Sequence, residues 1–182
     1  MEYLDLVNKV GEKTGEVKDR KEIHSKGYWH RGFHIWVINS NQELLLQRRS
    51  ENKDVYPNKL YASVAGHMTS GEKEIEGIVR ECSEEINYTV NKEDLEYLFT
   101  FSQEVVENQG KFLDNMFYDV YLLEKDIDIS TLKLQKEEVK DIQYIDFREY
   151  EKMVNNHHKD IVNHPEKWEK LFRILHKKYD RQ

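Results

Sequence analysis

Runs of β-branched and aromatic residues alternate along the chain with turn-forming clusters, and this pattern predicts most of the strands. Residues 32–38 and 43–48 are two such runs, and they flank the turn-forming cluster 39–42. Two strand-like runs around a short polar cluster predict a hairpin. The same criteria predict further strands over residues 96–103, 112–123 and 141–147, and a short segment over 61–65 precedes Gly66.

A helix is predicted from Gly71 or Glu72 to Ile86, because the apolar residues there follow a helical period. The apolar residues there recur three and four positions apart, as on one face of a helix: Ile75, Ile78, Val79, Cys82 and Ile86. Asn87 follows as a predicted left-handed C-cap. Two more helices are predicted over 147–155 and 165–178, the second with Trp168 on its apolar face.

Strands interspersed with a few helices indicate a sheet covered by helices, which is an α/β (α+β) fold. With 182 residues and no low-complexity linker, the chain is predicted to be a single domain over 1–182. Residues 1–28 are predicted to form an N-terminal hairpin or lid segment, and residues 147–182 the C-terminal helices. A hydrophobic fraction of 38% argues against disorder.

Composition narrows the functional classes. The apolar stretches are far shorter than the roughly 20 residues that cross a bilayer. The first residues lack the basic start and apolar core of an export signal, and a single cysteine, Cys82, suits a reducing compartment. We therefore expect a cytoplasmic protein. A net charge of −7 opposes binding to nucleic acid polymers or anionic membranes.

The predicted helix before Asn87 carries three carboxylates, Glu81, Glu84 and Glu85. At about 100° per residue they fall within one arc of about 100°. Such carboxylates repel one another, and a hard cation such as Mg²⁺ offsets this repulsion while binding substrate phosphates. The alternative is a solvated acidic face, which spacing alone favours.

The residues around these carboxylates follow the order G-x5-E-x7-R-E-U-x-E-E-x-G-U, in which U is a bulky apolar residue. The matching positions are Gly66, Glu72, Arg80, Glu81, Cys82, Glu84, Glu85 and Tyr88. This segment resembles the box of the Nudix hydrolases. The one departure is Asn87 in place of glycine, and asparagine tolerates a positive φ better than most residues.

The resemblance implies a Nudix fold, an α/β/α sandwich with a mixed sheet, and a hydrolase that cleaves a small-molecule diphosphate linkage with Mg²⁺, or with Mn²⁺ as an alternative. It implies that Glu81, Glu84, Glu85 and the carbonyl of Ala65 ligate the metal, with Glu84 or Glu85 beside the attacking water. It also implies that Arg80 and Glu72 pair to hold the loop against the helix.

Residues 19–72 resemble more narrowly the Nudix branch related to isopentenyl-diphosphate isomerase. Within that branch, Arg49 and Lys53 match positions that grip a diphosphate; a strand end and a solvated loop are the alternatives. A set of histidines, His24, His30 and His67, matches positions that hold a metal, although lone histidines more often serve packing or hydrogen bonding.

Isomerase chemistry in this branch requires a cysteine where this chain has Ala65, and a glutamate near Met116. The lone thiol, Cys82, falls on the apolar face of the helix, where a core role is expected. These departures favour a hydrolase of nucleoside diphosphate derivatives or related compounds over an isomerase. A non-catalytic nucleotide-binding module is a third reading, which the intact glutamate set disfavours.

Three questions remain open from the sequence. The general base could be any of several carboxylates: Glu84, Glu85, Glu104, Glu107, Asp114, Glu137 or Glu138. Four aromatic residues could stack on a base or belong to the core: Tyr28, Trp29, Phe33 and Trp36. A homodimer is an option through the N-terminal hairpin or the helix around Trp168.

Overall fold

A computed structural model describes residues 2–162 and 164–180. Within these residues the strands are β1 Tyr3–Val7, β2 Lys13–Asp19, β3 His30–Ile38, β4 Glu43–Arg49, β5 Leu60–Tyr61, β6 Val64–His67, β7 Leu95–Glu107, β8 Phe112–Glu124 and β9 Val139–Asp146. The helices are α1 Arg20–Lys26, α2 Glu74–Ile86, α3 Phe147–Asn155 and α4 Pro165–Tyr179. None of the helices described is both long and apolar enough to cross a membrane.

Strand β3 organises a mixed sheet of seven strands. It pairs antiparallel with β4 and β6 and parallel with β8, where His30 lies opposite Met116. Strand β7 adds to the far side of β8, while β5 and β9 pair with β4. The predicted 39–42 turn joins β3 to β4, as expected for the hairpin.

Helices cover both faces of this sheet. On one face, alternate residues of β3 such as Phe33 and Ile35 pack with Ile78 and Cys82 of α2. On the other face, residues of the opposite parity such as Trp36 pack with α3 and α4. Side chains of a strand point alternately to its two faces, so β3 contributes to both cores. The predicted α/β/α sandwich is confirmed.

The boundaries of α2 differ slightly from the predicted ones. The helix begins at Glu74, because Gly71 has φ 78° and belongs to the preceding turn. The Glu76 carboxylate accepts a hydrogen bond from the backbone N–H of Lys73 at 3.2 Å and so caps the first turn. At the other end Asn87 has φ 54°, the left-handed C-cap that the sequence predicts.

The N-terminal segment contains the predicted hairpin, β1 and β2, followed by the short helix α1, which the sequence pattern does not reveal. Asp19 caps this helix by accepting from the N–H of Lys21, and Gly27 ends it at φ 70°. Because α1 packs against β8, the side chain of His24 lies inside the protein.

Candidate active site

The site begins where α2 crosses the end of β6. A Cβ atom on Gly66 would lie 2.5 Å from the Cγ and Cδ atoms of Glu81. That is far inside van der Waals contact, so only glycine permits this approach. The Glu81 side chain therefore lies directly against the backbone that follows Ala65.

The three carboxylates of α2 differ sharply in exposure. The side chain of Glu84 is 53% exposed and that of Glu81 is 14% exposed, while Glu85 is 4% exposed. Burial raises the pKa of Glu85 to about 8, and the neighbouring Glu81 carboxylate adds to the rise. Burial also raises the pKa of Glu81. The single hydrogen bond described for the Glu85 carboxylate comes from Gln47 Nε2 at 3.3 Å.

Arg80 connects this helix to the loop before it. Its Nε and Nη2 atoms donate to the Glu72 carboxylate at 2.9 and 3.1 Å, a bidentate ion pair. Its Nη1 donates to Glu81 at 2.8 Å and to Glu84 at 3.2 Å, and Nη2 also reaches the His67 carbonyl at 3.2 Å. Burial raises the pKa of Glu72, but hydrogen bonds from Arg80 and Thr69 outweigh it and give a net lowering.

A cleft of about 500 Å³ opens over these carboxylates, and we refer to it as the cleft. Besides Arg80, three cationic side chains line it: Arg20, Arg49 and Lys53. Lys53 forms an ion pair with Glu138, and Arg20 donates to Glu2 at 3.1 Å. Acidic and basic groups facing one another across a cavity suit a metal-bound anionic substrate.

Three histidines meet beside the cleft. One ligand atom from each of His24, His30 and His67 lies within 4.8 Å of the other two. The Nε2 atoms of all three are buried, and none has a hydrogen-bond partner among residues 2–162 and 164–180. Burial, followed by the charge of Arg20, lowers the pKa of His24 to about 4, so the ring is neutral at pH 7. Asp114 Oδ1 lies 3.4 Å from His24 Nδ1.

Part of the cleft lining is aromatic. It includes four rings: Tyr56, Tyr61, Phe112 and Tyr118. Between them lies a polar pair in which Gln103 Nε2 donates to Asp114 Oδ2 at 2.7 Å. Burial raises the pKa of Asp114 to about 6. These aromatic and polar groups have the mixed character of a site that accepts an organic group.

The structure places the sequence-predicted site residues in one region. All of Ala65, Arg49, Lys53, Arg80, Glu81, Glu84 and Glu85 line the cleft, together with His24 and His67, while Glu72 lies just behind Arg80 and His30 behind the other histidines. Of the candidate bases, Glu84, Glu85, Asp114, Glu137 and Glu138 line the cleft, whereas Glu104 and Glu107 lie outside it.

The structure also bears on two alternatives that the sequence left open. The four aromatic residues considered for base stacking do not line the cleft; Phe33 and Trp36 are core residues, and Trp29 packs on Phe117. Trp168 is 2% exposed, because its indole packs in the core and donates to the Val162 carbonyl at 2.9 Å. Trp168 is thus unavailable as an interface residue.

The positions that separate this chain from the isomerases are also visible. Ala65 lies at the cleft where the resemblance requires cysteine, and the buried Met116 stands at the expected glutamate position. The Cys82 thiol is buried in the core, where desolvation raises its pKa far above the ordinary value. A buried, protonated thiol is a poor nucleophile.

Some residues that line the cleft were not predicted, among them Arg20, Gln103 and Tyr118. Arg20 could have been found, because it lies four positions before His24 and such residues share a face of a helix. Gln103 and Tyr118 come from adjacent strands and carry no local signal. Their proximity depends on the register in which Phe101 pairs with Tyr118.

The sandwich, the glutamate-bearing helix and the cation-lined cleft together define a hydrolase of the Nudix class. A profile of the NUDIX domain matches residues 28–164. The chain belongs to the Nudix hydrolase family.

Two Nudix hydrolases are similar to this chain over nearly its whole length. Nudix hydrolase 3 of Arabidopsis thaliana is 38% identical over 179 residues, which are 96% of this chain and 23% of the relative, so the chain spans less than a quarter of that protein. An uncharacterized Nudix hydrolase of Clostridium acetobutylicum is 34% identical over 185 residues, covering 97% of this chain and 88% of the relative.

An isopentenyl-diphosphate Delta-isomerase of Escherichia coli is 26% identical over 145 residues, which cover 80% of this chain and 77% of the isomerase. Among solved structures, a Deinococcus radiodurans protein superposes with a TM-score of 0.71 at 24% identity, over 98% of this chain and 99% of that one. That similarity bears on the fold alone.

Proposed function

We propose that the chain is a Mg²⁺-dependent hydrolase that cleaves the diphosphate linkage of a nucleoside diphosphate derivative or a related small molecule. The observation that carries the proposal is the carboxylate group of α2 at one wall of a cleft whose other lining includes Arg20, Arg49 and Lys53. The cationic side chains would bind the diphosphate, and the glutamates would hold the metal.

The donor set fits Mg²⁺. Glu81, Glu84, Glu85 and the carbonyl of Ala65 offer only oxygen atoms, the ligand type that Mg²⁺ prefers. The buried Glu85 carboxyl also lacks a cationic partner at hydrogen-bonding distance among the described contacts. When bound, Mg²⁺ supplies charge neutralisation to the diphosphate and a lowered pKa to a coordinated water.

The protein's own side chains would then position the metal-binding carboxylates and accept a proton from water. Arg80 holds Glu81 and Glu84 on the cleft side of α2 while its other donors are fixed by Glu72. Glu138 is engaged by Lys53 and Glu84 by Arg80, but Glu84 and Glu137 are the more exposed carboxylates on the cleft. Either can accept a proton from water by rotation of its side chain.

The histidine cluster supports a second cation. One ring nitrogen from each of the three histidines lies within 4.8 Å of the other two, and such a nitrogen-rich set suits Zn²⁺ better than Mg²⁺. Asp114 beside His24 Nδ1 would orient that ring, as carboxylates do behind metal-bound histidines.

Carbon-skeleton isomerisation is the second candidate, because the histidine cluster accompanies the similarity to an isomerase. Ala65 and Met116 cannot protonate or deprotonate a carbon atom. We therefore expect no proton exchange into isopentenyl diphosphate, and measurable exchange would favour the isomerase instead.

The test compares three variants on a panel of nucleoside di- and triphosphates, dinucleotides and nucleotide sugars with Mg²⁺ or Mn²⁺. Glu84→Gln and Glu85→Gln should each lower turnover at least about a hundredfold, with the far-UV spectrum unchanged. Glu93→Gln, in an exposed turn before β7, is the matched control. Unchanged turnover in both site variants would refute the role given to α2.

A further inference from the structure

Two loops meet at the cleft through one ion pair. Lys53 lies in the loop after β4 and Glu138 in the loop before β9, and both side chains line the cleft. The Lys53 Nζ donates to the Glu138 carboxylate, and the two side chains are 16% and 32% exposed. Within residues 2–162 and 164–180, Glu138 is the one carboxylate at ion-pair distance from the Lys53 Nζ. A cation proposed to bind the diphosphate is thus held by a carboxylate of the same cleft.

Backbone hydrogen bonds fix the position of Glu138. The Ser50 N–H donates to the Glu138 carbonyl at 2.9 Å, which ties this loop to the end of β4. The Glu138 N–H donates to the Gln135 carbonyl at 2.9 Å, and the Gln135 N–H donates to the Glu85 carbonyl at 2.9 Å, which ties the same loop to α2. Glu138 is therefore held between the glutamate-bearing helix and the loop that carries Lys53.

The charges around Glu138 agree with this position. Burial raises the pKa of Glu138, but neighbouring cations, Lys53 foremost, outweigh burial and give a net lowering. The Glu138 carboxylate is thus ionised at neutral pH. Its charge adds to burial and to the charge of Glu81 in raising the pKa of Glu85. Glu138 is therefore an anion close enough to Glu85 to affect it, and Lys53 is its main counter-charge.

A diphosphate in the cleft changes this balance. Its phosphoryl groups carry more negative charge than one carboxylate, so they attract the Lys53 ammonium more strongly. A partly exposed ion pair contributes little to stability, so the loss of the Glu138 contact opposes an exchange only weakly. Lysine suits an exchange because its ammonium is a compact charge on a flexible stem. Arg80 differs, because its bidentate contact with Glu72 fixes the guanidinium.

We propose that a bound diphosphate takes Lys53 from Glu138, and that the released Glu138 carboxylate accepts the proton of the attacking water. This inference rests on the proposed function, since it states how the substrate prepares that site. Without a diphosphate the Glu138 carboxylate stays neutralised by Lys53. The release adds to Glu84 and Glu137 a proton acceptor whose availability depends on the substrate.

The chemical step balances with Glu138 in this role. The water oxygen bonds to one phosphorus atom, and the bond from that phosphorus to the bridging oxygen breaks. The bridging oxygen leaves on the second phosphate with the electron pair of that bond. The proton passes from the water to Glu138 and then to the leaving phosphate, which restores the carboxylate for its pairing with Lys53.

The first experiment measures the exchange without turnover. Methylenediphosphonate, a diphosphate analogue with a carbon bridge that water does not cleave, is titrated into the protein with Mg²⁺ in a calorimeter. Four proteins form a cycle: the wild type, Lys53→Met, Glu138→Gln and the double variant. The control is Lys136→Met, which removes a charge from the same loop outside the cleft and should bind the analogue like the wild type.

The cycle distinguishes exchange from simple repulsion. If Lys53 leaves Glu138, Glu138→Gln removes a competitor for Lys53, and the gain in affinity should be about threefold larger with Lys53 present than in the Lys53→Met background. If Lys53 stays on Glu138, that carboxylate is neutralised only when Lys53 is present. The gain would then be equal or smaller in the wild-type background, and this result would overturn the proposal.

The second experiment separates binding from the chemical step, with the compound of the substrate panel that is hydrolysed fastest. Glu138→Gln should lower kcat at least about tenfold without raising KM, since a proton acceptor is lost while Lys53 is free for the substrate. Lys53→Met should raise KM about tenfold and keep kcat within about threefold, because Glu138 is already free. A pair that only fastens the two loops would instead give the same change of kcat in both variants, which would overturn the proposal.

The outcomes also separate this inference from the proposed function. Hydrolysis with an unchanged kcat in Glu138→Gln would refute the role of Glu138 and leave the hydrolase standing. Absence of hydrolysis of every compound in the panel, with a cycle that still shows the exchange, would refute the proposed function and leave the exchange of Lys53 standing.

Discussion

Replacement of Glu85 by glutamine gives a direct measure of the strain held in the metal-free site. The carboxyl group is buried and faces the Glu81 carboxylate, so its pKa rises from an ordinary 4.5 to about 8. The folded protein therefore binds a proton at Glu85 between these two values, where the unfolded chain has released it. Stability falls as the pH rises through that window.

The expected magnitude follows from the same values. At about 1.4 kcal/mol per pH unit, the interval from the ordinary pKa of 4.5 to pH 7 corresponds to about 3 kcal/mol of lost stability. Glu85→Gln keeps the size of the side chain and an oxygen that can accept from Gln47. The variant should be more stable than the wild type by up to about 3 kcal/mol at pH 7, and equally stable near pH 4.5.

The assay is urea unfolding at pH 5, 6, 7 and 8 with a chelator present and again with excess Mg²⁺. Without metal, the wild type should lose stability with rising pH and Glu85→Gln should lose less. With Mg²⁺ the order should reverse, because a ligand that binds the folded state stabilises it and the variant binds less. In the metal-free series Glu84→Gln is the control, since that side chain is largely exposed.

Parallel pH profiles for the wild type and Glu85→Gln without metal would show that the Glu85 carboxyl is not held in a desolvated, repulsive position. Equal stabilisation of both by Mg²⁺ would show that Glu85 is not a ligand. Each result refutes a separate step of the reasoning.

Other parts of the site give further predictions. Arg80→Lys keeps the charge but loses the bidentate contact with Glu72, so unfolding free energy should fall by about 2 kcal/mol in urea titrations, for two hydrogen bonds at about 1 kcal/mol each; an unchanged midpoint would contradict this. Gly66→Ala places a methyl group 2.5 Å from Glu81, and calorimetry should show about 1–3 kcal/mol of destabilisation together with loss of Mg²⁺ binding; normal Mg²⁺ binding would show that Glu81 does not need this approach. His67→Ala should reduce the content of transition metal measured by mass spectrometry to background; an unchanged content would place that metal elsewhere.

Much of the fold could be predicted from local signals. The period of α2 and the turn at 39–42 are properties of short segments, and so is the left-handed Asn87. The structure confirms each of them. Helix α1 was missed because it has seven residues, most of them charged, with only Ile23 and His24 buried. A helix so short has little periodicity to read.

Only part of the candidate site could be predicted from local signals. The glutamates of α2 and Arg80 lie within one short segment, so a motif could identify them. Their different burial could not be predicted, because Glu85 is enclosed by Gln47 of β4 and by the loop whose Gln135 N–H donates to the Glu85 carbonyl at 2.9 Å. Such enclosure depends on pairings between distant segments.

The burial of two polar side chains, His34 and Lys167, lay beyond sequence reasoning. His34 occupies a strand in which hydrophobic neighbours suggest only core, and Lys167 lies in a helix whose charged residues are usually solvated. Their shared surroundings arise because α4 packs across the sheet over Phe101 of β7. A residue type that is ordinary on a helix surface becomes informative only once its burial is known.

The parallel pairing of β3 with β8 also bears on how the protein folds. His30 and Met116 are opposite one another although 86 residues separate them along the chain. Contacts between such distant residues form slowly, because a long loop must close before any pairing rewards it. The cleft takes residues from both sides of this pairing, with Arg49 and Glu85 before β8 and Glu138 after it. Partly folded chains should therefore have no affinity for a diphosphate, and binding should report completion of the slowest step in folding.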